Sequence, residues 1–267
     1  MTVSGVISQL KEAGVANASQ EALWLTAHAL GVGSAGVLAR GTFSPDEAAR
    51  VDAVISRRIS GEPLQYILGE ADFYGRDFAV GSGVLIPRHD TETLIDGVKG
   101  CFARDEAFRF VDWGTGSGCI AITILLEFPN AEGVMVDVSP DALSYARRNV
   151  ERYGLAGRAE ICGNVSGDFS LIVSNPPYIP SDEIAGLMRD VRDYEPALAL
   201  DGGHDGMDCY REILTLAVER LKPGGYIVLE AGNMRQVEEL EGSGDFEACG
   251  RVYDTGNFPR CLILRRN

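Results

Sequence analysis

No hydrophobic run in this 267-residue chain is long enough to cross a bilayer; the most apolar stretch, 119–126, falls far short of the ~20 residues a spanning helix needs. The N-terminus does not place a charged region before an apolar one, so no secretory signal is expected. Six cysteines are scattered without a C-x-x-C pair, which points to free, buried thiols in a reducing compartment, and the cytoplasm is the expected location. Basic residues never run beyond a pair (Arg57-Arg58, Arg147-Arg148, Arg265-Arg266), and the net charge is −15. Clustered Lys and Arg are what bind phosphate backbones and anionic membranes, so neither nucleic acid nor a membrane is an expected partner. With only 3 histidines, and none placed by spacing beside another ligand, no metal site is expected.

What is present describes a folded chain with a core: 45% of residues are hydrophobic and 24% charged. The length suits a large domain plus a small one. The first stretch, residues 1–71, has helical periodicity. Leu23, Ala27 and Leu30 share one face with Trp24 beside them, and Trp24 and His28 are expected to pack in a core. Ser44-Pro45-Asp46-Glu47 forms a capping box with proline at the first helical position, opening a helix to about Ser60 that turns Ala48, Val51, Val54 and Ile55 inward. Residues 72–87, alternating apolar and polar around glycines, predict a bridging β-hairpin, with helix signals resuming at Asp90.

The remainder, 88–267, alternates strands (108–113, 133–139, 159–163, 169–174, 226–231) with helices (119–127, 140–153, 206–221, 234–240). That order predicts an α/β Rossmann-like sheet, mostly parallel and covered on both faces. Two final strands, 246–253 and 261–265, with only a turn between them, predict an antiparallel hairpin at its end.

Asp112-Trp113-Gly114-Thr115-Gly116-Ser117-Gly118 follows a strand and opens a helix, where backbone can approach a ligand and amides point outward. A merely tight turn is the alternative. No Gly-Lys-Ser/Thr follows, which excludes a phosphate loop, and Cys119 stands where the dinucleotide pattern needs its last glycine. G-x-G-x-G behind an acid suits a nucleoside with an amino-acid tail, S-adenosylmethionine: Asp112 would meet the amine and the glycine amides the carboxylate. Asp137, about 20 residues beyond the loop, stands where an acid binds ribose hydroxyls, or else caps a helix.

Asn175-Pro176-Pro177-Tyr178 ends a buried strand in a rigid turn, because two prolines fix φ and remove two donors. As a structural feature it would simply terminate the strand. As a site it offers two acceptors, the Asn175 side-chain oxygen and the Pro176 carbonyl, matching the two N–H bonds of a planar –NH2, with Tyr178 as an aromatic wall. Holding both N–H bonds would aim the nitrogen lone pair at a methyl carbon and stabilise the charge developing on nitrogen. No base is needed beforehand, since the proton can leave afterwards.

With these residues in view, nearly the whole chain resembles the release factor glutamine methyltransferases (the PrmC/HemK group). The resemblance extends to Arg57-Arg58 and Gly61-Glu62-Pro63; to 85–92 (LIPRHDTE); to Glu195-Pro196, 200–203 (LDGG) and Asp205-Gly206; and to Asp254, Gly256 and Arg260 in a D-x-x-G-x-x-R pattern. It implies methyl transfer from S-adenosylmethionine to N5 of the glutamine in the Gly-Gly-Gln loop of peptide chain release factors. By the same resemblance the N-terminal helices help dock that partner; a monomer is expected. The cofactor-binding residues implied are Asp112, Gly114 to Gly118, Asp137, Asn164, Val165 and Asn175, and the glutamine is held by Asn175 to Tyr178. Arg88, Thr91 and Glu92 match a segment near the family's active site. The stretch 162–168 is shorter than is usual in the family, with Asn164 where an acid is expected, and Trp113 replaces an aliphatic residue. A ribosomal-protein glutamine methyltransferase shares the same catalytic features. An adenine-N6 nucleic-acid methyltransferase would need a basic face that this chain lacks.

Overall fold

In a computed structural model describing residues 1–267, the N-terminal helices begin where their caps dictate. Thr2 accepts the Gly5 amide to start α1 (Val3–Glu12), and Gly31 closes α2 (Ala18–Leu30). A short α3 (Ser34–Leu38) precedes α4 (Pro45–Ile59), where Ser44 and Glu47 each bond the other's backbone N–H in the capping box; α5 (Leu64–Leu68) follows. Val6, Leu10, Ala22, Leu25, Val51 and Ile55 form the core of this unit.

The buried face of α2 differs from the expected one. Ala18, Ala22 and Leu25 point inward with Leu30, while Trp24 is 44% exposed and His28 is exposed. Both stripes satisfy helical spacing, and the small alanines win because they let neighbouring helices approach closely. Glu21 is buried on the same helix and accepts Arg58 Nε at 2.6 Å.

Two compact units divide the chain: residues 1–70 with 188–194, and residues 71–187 with 195–267. The segment 188–194, which carries α9 (Arg189–Tyr194), belongs to the first unit, where the Tyr194 hydroxyl donates to the Ser60 carbonyl at 3.2 Å. Nothing in the local sequence of this segment marks its neighbours.

At the start of the second unit a hairpin joins β1 (Glu70–Phe73) to β2 (Arg76–Ala79). Its turn holds Tyr74 at φ 54 and Gly75 at φ 68, the paired positive angles of a two-residue hairpin loop. Glu92 Oε1 secures that turn by accepting the Tyr74 amide at 2.8 Å. The hairpin therefore ends at Ala79, short of the expected 87. Beyond it, Gly81 and Gly83 lie against Tyr145 and Asp141, so the alternating residues there pack on a helix and pair with no strand.

The main sheet contains β3 (Arg109–Trp113), β4 (Glu132–Val136), β5 (Ala159–Cys162), β6 (Phe169–Ser174), β7 (Leu221–Glu230), β8 (Phe246–Val252) and β9 (Cys261–Arg266), in the order β5-β4-β3-β6-β7-β9-β8. The strands β3 to β7 are parallel, and β9 and β8 close the sheet antiparallel. Alternation along the strands feeds two cores. Phe110, Leu171, Val173 and Val228 face one side, with α6 (Glu92–Cys101) and α7 (Cys119–Glu127). Val111, Ile172, Ile227 and Leu229 face the other, with α10 (Asp208–Arg220). On the first side α8 (Pro140–Arg152), which follows β4, also packs, and on the second α11 (Met234–Glu241), which follows β7.

The strand order reverses between β3 and β6. Open α/β sheets bind ligands in the crevice that such a reversal creates at the carboxyl ends of the strands. Gly114, Asp137 and Asn175 each stand one residue beyond the end of β3, β4 and β6.

Candidate active site

The crevice is a cavity of about 530 Å³, within the size range of cofactor pockets. Gly114, Thr115, Gly116, Ser117, Asp137, Asn164, Val165, Asn175 and Pro177 line it. Asp112, Gly118, Pro176 and Tyr178 do not.

Gly114, Gly116 and Gly118 all adopt positive φ (72°, 57° and 84°), which lets the loop double back over the end of β4. Its amides are largely committed inside the protein. Those of Gly114 and Thr115 donate to the Val136 carbonyl, both at 2.9 Å, and that of Gly118 to the Thr115 carbonyl at 2.8 Å. Gly116 donates to Asp137 Oδ2 at 2.9 Å. The expected ring of amides around a ligand carboxylate thus reduces to the Ser117 N–H. Gly118 is small for packing: a side chain there would strike Met135 Cε at 2.5 Å.

Asp112 is turned away from the cavity, against the expectation that it meets an amine there. Its Oδ2 accepts Thr115 Oγ1 at 2.7 Å and the Ala121 amide at 3.2 Å, tying the loop to α7. Oδ1 is buried without a partner. Burial, with the charge of Asp137 adding, lifts this carboxyl to about 7. Asp137, by contrast, is held at the rim by the amides of Gly116 and Ser139, both at 2.9 Å, and its remaining lone pairs are open to ligand hydroxyls.

On the other wall Ser174 Oγ donates to the Trp113 carbonyl at 2.6 Å, locking the ends of β6 and β3 together. Asn175 then donates Nδ2 to Thr91 Oγ1 at 3.0 Å, so its Oδ1 is the end left to accept. No N–H or O–H of the chain donates to the Pro176 carbonyl. Tyr178 is not the expected cavity wall: its hydroxyl donates to Glu230 Oε1 at 3.3 Å, and its backbone carbonyl accepts Gln236 Nε2 at 2.9 Å. Burial pushes the phenol pKa upward. Gly202 is crowded against this turn, where a Cβ would lie 2.8 Å from both the Pro177 carbonyl oxygen and Tyr178 Cα.

Local spacing assigns no role to several site residues, of which Arg88 and Thr91 are named only by the resemblance. Thr91, 2% exposed, comes from the 3-10 turn His89–Thr91 and anchors Asn175. Arg88 lines the cavity and is paired at 2.5 Å with Glu195, which also accepts the Ile86 amide at 3.2 Å. Cys209 and Glu212 reach the cavity from α10 with no motif to mark them. Glu230 is buried beneath the turn, and burial lifts its carboxyl to about 7 against the hydroxyl of Thr91, the charge of Arg260 and the hydroxyl of Tyr178. Arg260, paired with Asp254 at 3.2 Å, also donates to the Ala231 carbonyl at 3.1 Å, which gives the D-x-x-G-x-x-R turn its place beside β7.

A parallel sheet finished by an antiparallel hairpin, with a glycine loop after β3 and an acid after β4, defines a class I methyltransferase. Solved structures agree in fold. A methyltransferase from Pyrococcus furiosus superposes with TM-score 0.53 at 18% identity, covering 79% of this chain and 96% of that one. Human methyltransferase 10 domain containing protein gives TM-score 0.51 at 16% identity over 73% and 89% of the two chains. Residues 3–69 match the PrmC N-terminal domain model and residues 91–188 the methyltransferase small domain. A release factor glutamine methyltransferase of Geobacter sulfurreducens is 44% identical over 84% of this chain and 80% of its own length. One from Rhodospirillum rubrum is 39% identical over 97% and 82%. The chain belongs to the release factor glutamine methyltransferase family.

Proposed function

We propose that this chain is a protein-(glutamine-N5) methyltransferase that uses S-adenosylmethionine to methylate the glutamine of the Gly-Gly-Gln motif in peptide chain release factors. Membership of the family supports the substrate, and the donor set of the cavity suits the cofactor. Asp137 presents carboxylate lone pairs for ribose hydroxyls, the Ser117 amide faces no acceptor of the chain, and Val84, Val136 and Val165 supply apolar walls. Asn164 lines the same cavity, and its side-chain oxygen would accept the adenine amino group. The bound cofactor supplies a methyl group already activated on a sulfonium.

The observation that carries the reading is the fixed carboxamide of Asn175. With Nδ2 given to Thr91, Oδ1 is left to accept one N–H of a glutamine amide; the Pro176 carbonyl, outside the cavity lining but bonded by no donor of the chain, would accept the other once the substrate is bound. An amide nitrogen is a poor nucleophile because its lone pair is delocalised. Two acceptors hold both N–H bonds as the nitrogen pyramidalises, direct the lone pair at the methyl group and stabilise the positive charge that grows on nitrogen. The proton departs after methyl transfer. Asp112, buried behind the loop, positions Thr115 and α7, and Gly118 sets the approach of α7 to β4. The buried Tyr178 braces the turn against Glu230.

The helical region 1–71 docks the release factor, the segment 72–87, of which only the first part is hairpin, bridges, and 88–267 carries the chemistry. The enzyme acts as a monomer in the cytoplasm without binding nucleic acid or membrane. No helix is long and apolar enough to cross a membrane, and the net charge of −15 disfavours a polyanion as substrate. Incubation with a release factor and S-adenosylmethionine, followed by peptide mass spectrometry, should find one added methylene on the Gly-Gly-Gln glutamine. Methyl groups found only on a ribosomal protein or on nucleic acid would overturn the assignment.

A further inference from the structure

A cofactor with an amino-acid tail brings a carboxylate into the crevice, and a carboxylate taken out of water needs a counter-charge or several donors. The glycine loop supplies few. Its Gly114, Thr115, Gly116 and Gly118 amides are committed within the protein, which leaves the Ser117 N–H. Of the charged residues lining the cavity, Asp137 and Glu212 are acids and repel such a group. Arg88 is the only Lys, Arg or His in the lining. We infer that the Arg88 guanidinium is the partner of the carboxylate on the cofactor's methionine tail. This rests on the cavity being the place where S-adenosylmethionine binds.

Arg88 belongs to a strap, residues 84–91, that runs from the glycine loop to the Asn-Pro-Pro-Tyr turn. At one end Val84 Cγ2 packs on the loop, 3.8 Å from where a Cβ on Gly116 would stand. At the other, Thr91 Oγ1 accepts Asn175 Nδ2 at 3.0 Å. Arg88 is the one charged residue of this strap that lines the cavity. The strap therefore carries its charge past the loop that meets the tail, on the way to the group that meets the acceptor amide.

The arginine is held in place before any ligand arrives. Glu195, whose side chain is 2% exposed, accepts Arg88 Nη2 at 2.5 Å through Oε1 and the Ile86 amide at 3.2 Å through Oε2. One buried carboxylate thus fixes both the strap and the guanidinium. A guanidinium carries its N–H donors in a planar fork, and the bond to Glu195 occupies one of them. The Arg88 side chain stays 38% exposed, with donors left for a second carboxylate. Because the Arg88–Glu195 pair is neutral as a whole, the tail is held by directed hydrogen bonds more than by net charge.

Titration calorimetry on the full chain tests this with S-adenosylhomocysteine and its decarboxylated analogue, which lacks the carboxylate alone. The wild type should bind the analogue about tenfold more weakly or worse, the scale of a hydrogen bond between charged groups. Arg88→Gln should weaken S-adenosylhomocysteine by a similar factor and the analogue less than twofold, so that the two ligands become nearly equal; the difference between the losses is the coupling of Arg88 to the carboxylate. Should stranding Glu195 prevent that variant from folding, Arg88→Gln combined with Glu195→Gln removes both charges and should show the same pattern, and the wild-type comparison needs no variant. Equal losses for the two ligands overturn the assignment and make Arg88 a brace for the strap. Unchanged affinity for both, with a raised KM for the release factor, overturns it in favour of a contact with the protein substrate. A wild type that binds both ligands equally overturns it as well, whereas one that binds neither removes the cavity as the cofactor site and the role of Arg88 with it.

Discussion

Asp112 makes the ligand-free protein less stable as the pH rises toward neutrality. Its side chain is fully buried, Oδ1 has no partner, and its carboxyl is raised from 3.8 to about 7 mainly by desolvation. A carboxyl raised in the folded state holds its proton more tightly there than in the unfolded chain. The resulting stabilisation is complete below about pH 4 and is lost as pH climbs to about 7. Each unit corresponds to ~1.4 kcal/mol, so between pH 5 and 7 Asp112 alone removes on the order of 2–3 kcal/mol. Glu230 acts in the same direction over the same window, being raised from 4.5 to about 7, again chiefly by burial. The lowered carboxylates do not obscure this. Asp205, held at about 2 chiefly by its hydrogen bond to Arg211, is ionised in folded and unfolded states alike by pH 5. Urea unfolding without ligand should show stability falling from pH 5 to 7 and levelling above it. Asp112→Asn keeps an acceptor for Thr115 and Ala121 but cannot ionise, and its slope should be shallower by ~2–3 kcal/mol across those two units. A variant that loses stability as steeply as the wild type would refute the reasoning, because the native carboxyl would then already be charged at pH 5.

Asn175→Ala should lower kcat by ~100-fold or more, the scale found when one preorganised hydrogen-bonding group is removed from a reacting centre. Calorimetry should find its cofactor affinity nearly unchanged; an affinity loss as large as the kcat loss would place Asn175 with the cofactor instead. Gly202→Ala drives a Cβ to 2.8 Å from Pro177 O and Tyr178 Cα, both backbone atoms that cannot swing aside. It should cost ~1–3 kcal/mol in urea unfolding and reduce turnover as the turn shifts, and wild-type values in both assays would show that the contact relaxes freely. Glu21→Ala strands the Arg58 guanidinium it holds at 2.6 Å among largely buried neighbours, and should destabilise the chain by ~3 kcal/mol. Cofactor binding by that variant, measured where it remains folded, should not change.

Features that depend on backbone chemistry were legible from the sequence, because their cause is local. The glycine loop, the capping box at Ser44 and the proline-fixed turn at Asn175 each declare their geometry within a few residues. The parallel sheet followed from strand and helix periods in alternation, and only the ends of its elements moved by a few residues. What escaped depends on which of two equally patterned surfaces is covered. On α2 both the Leu23 and the Ala22 stripes are apolar, and only the neighbouring helices decide between them. Beyond Ala79 the alternation suited a strand, but Gly81 and Gly83 are required against α8. The site divides along the same line. A motif names Asn175 and the two prolines, yet the Asn175 side chain is anchored by Thr91, 84 positions away. Asp112 shows the converse: its spacing fits an amine ligand, but the loop folds back on Val136 and leaves the carboxylate beneath it, bonded to Thr115 and Ala121. Short motifs thus identify which groups a methyltransferase site contains, while the orientation of those groups is carried by buried partners that no spacing rule connects to them.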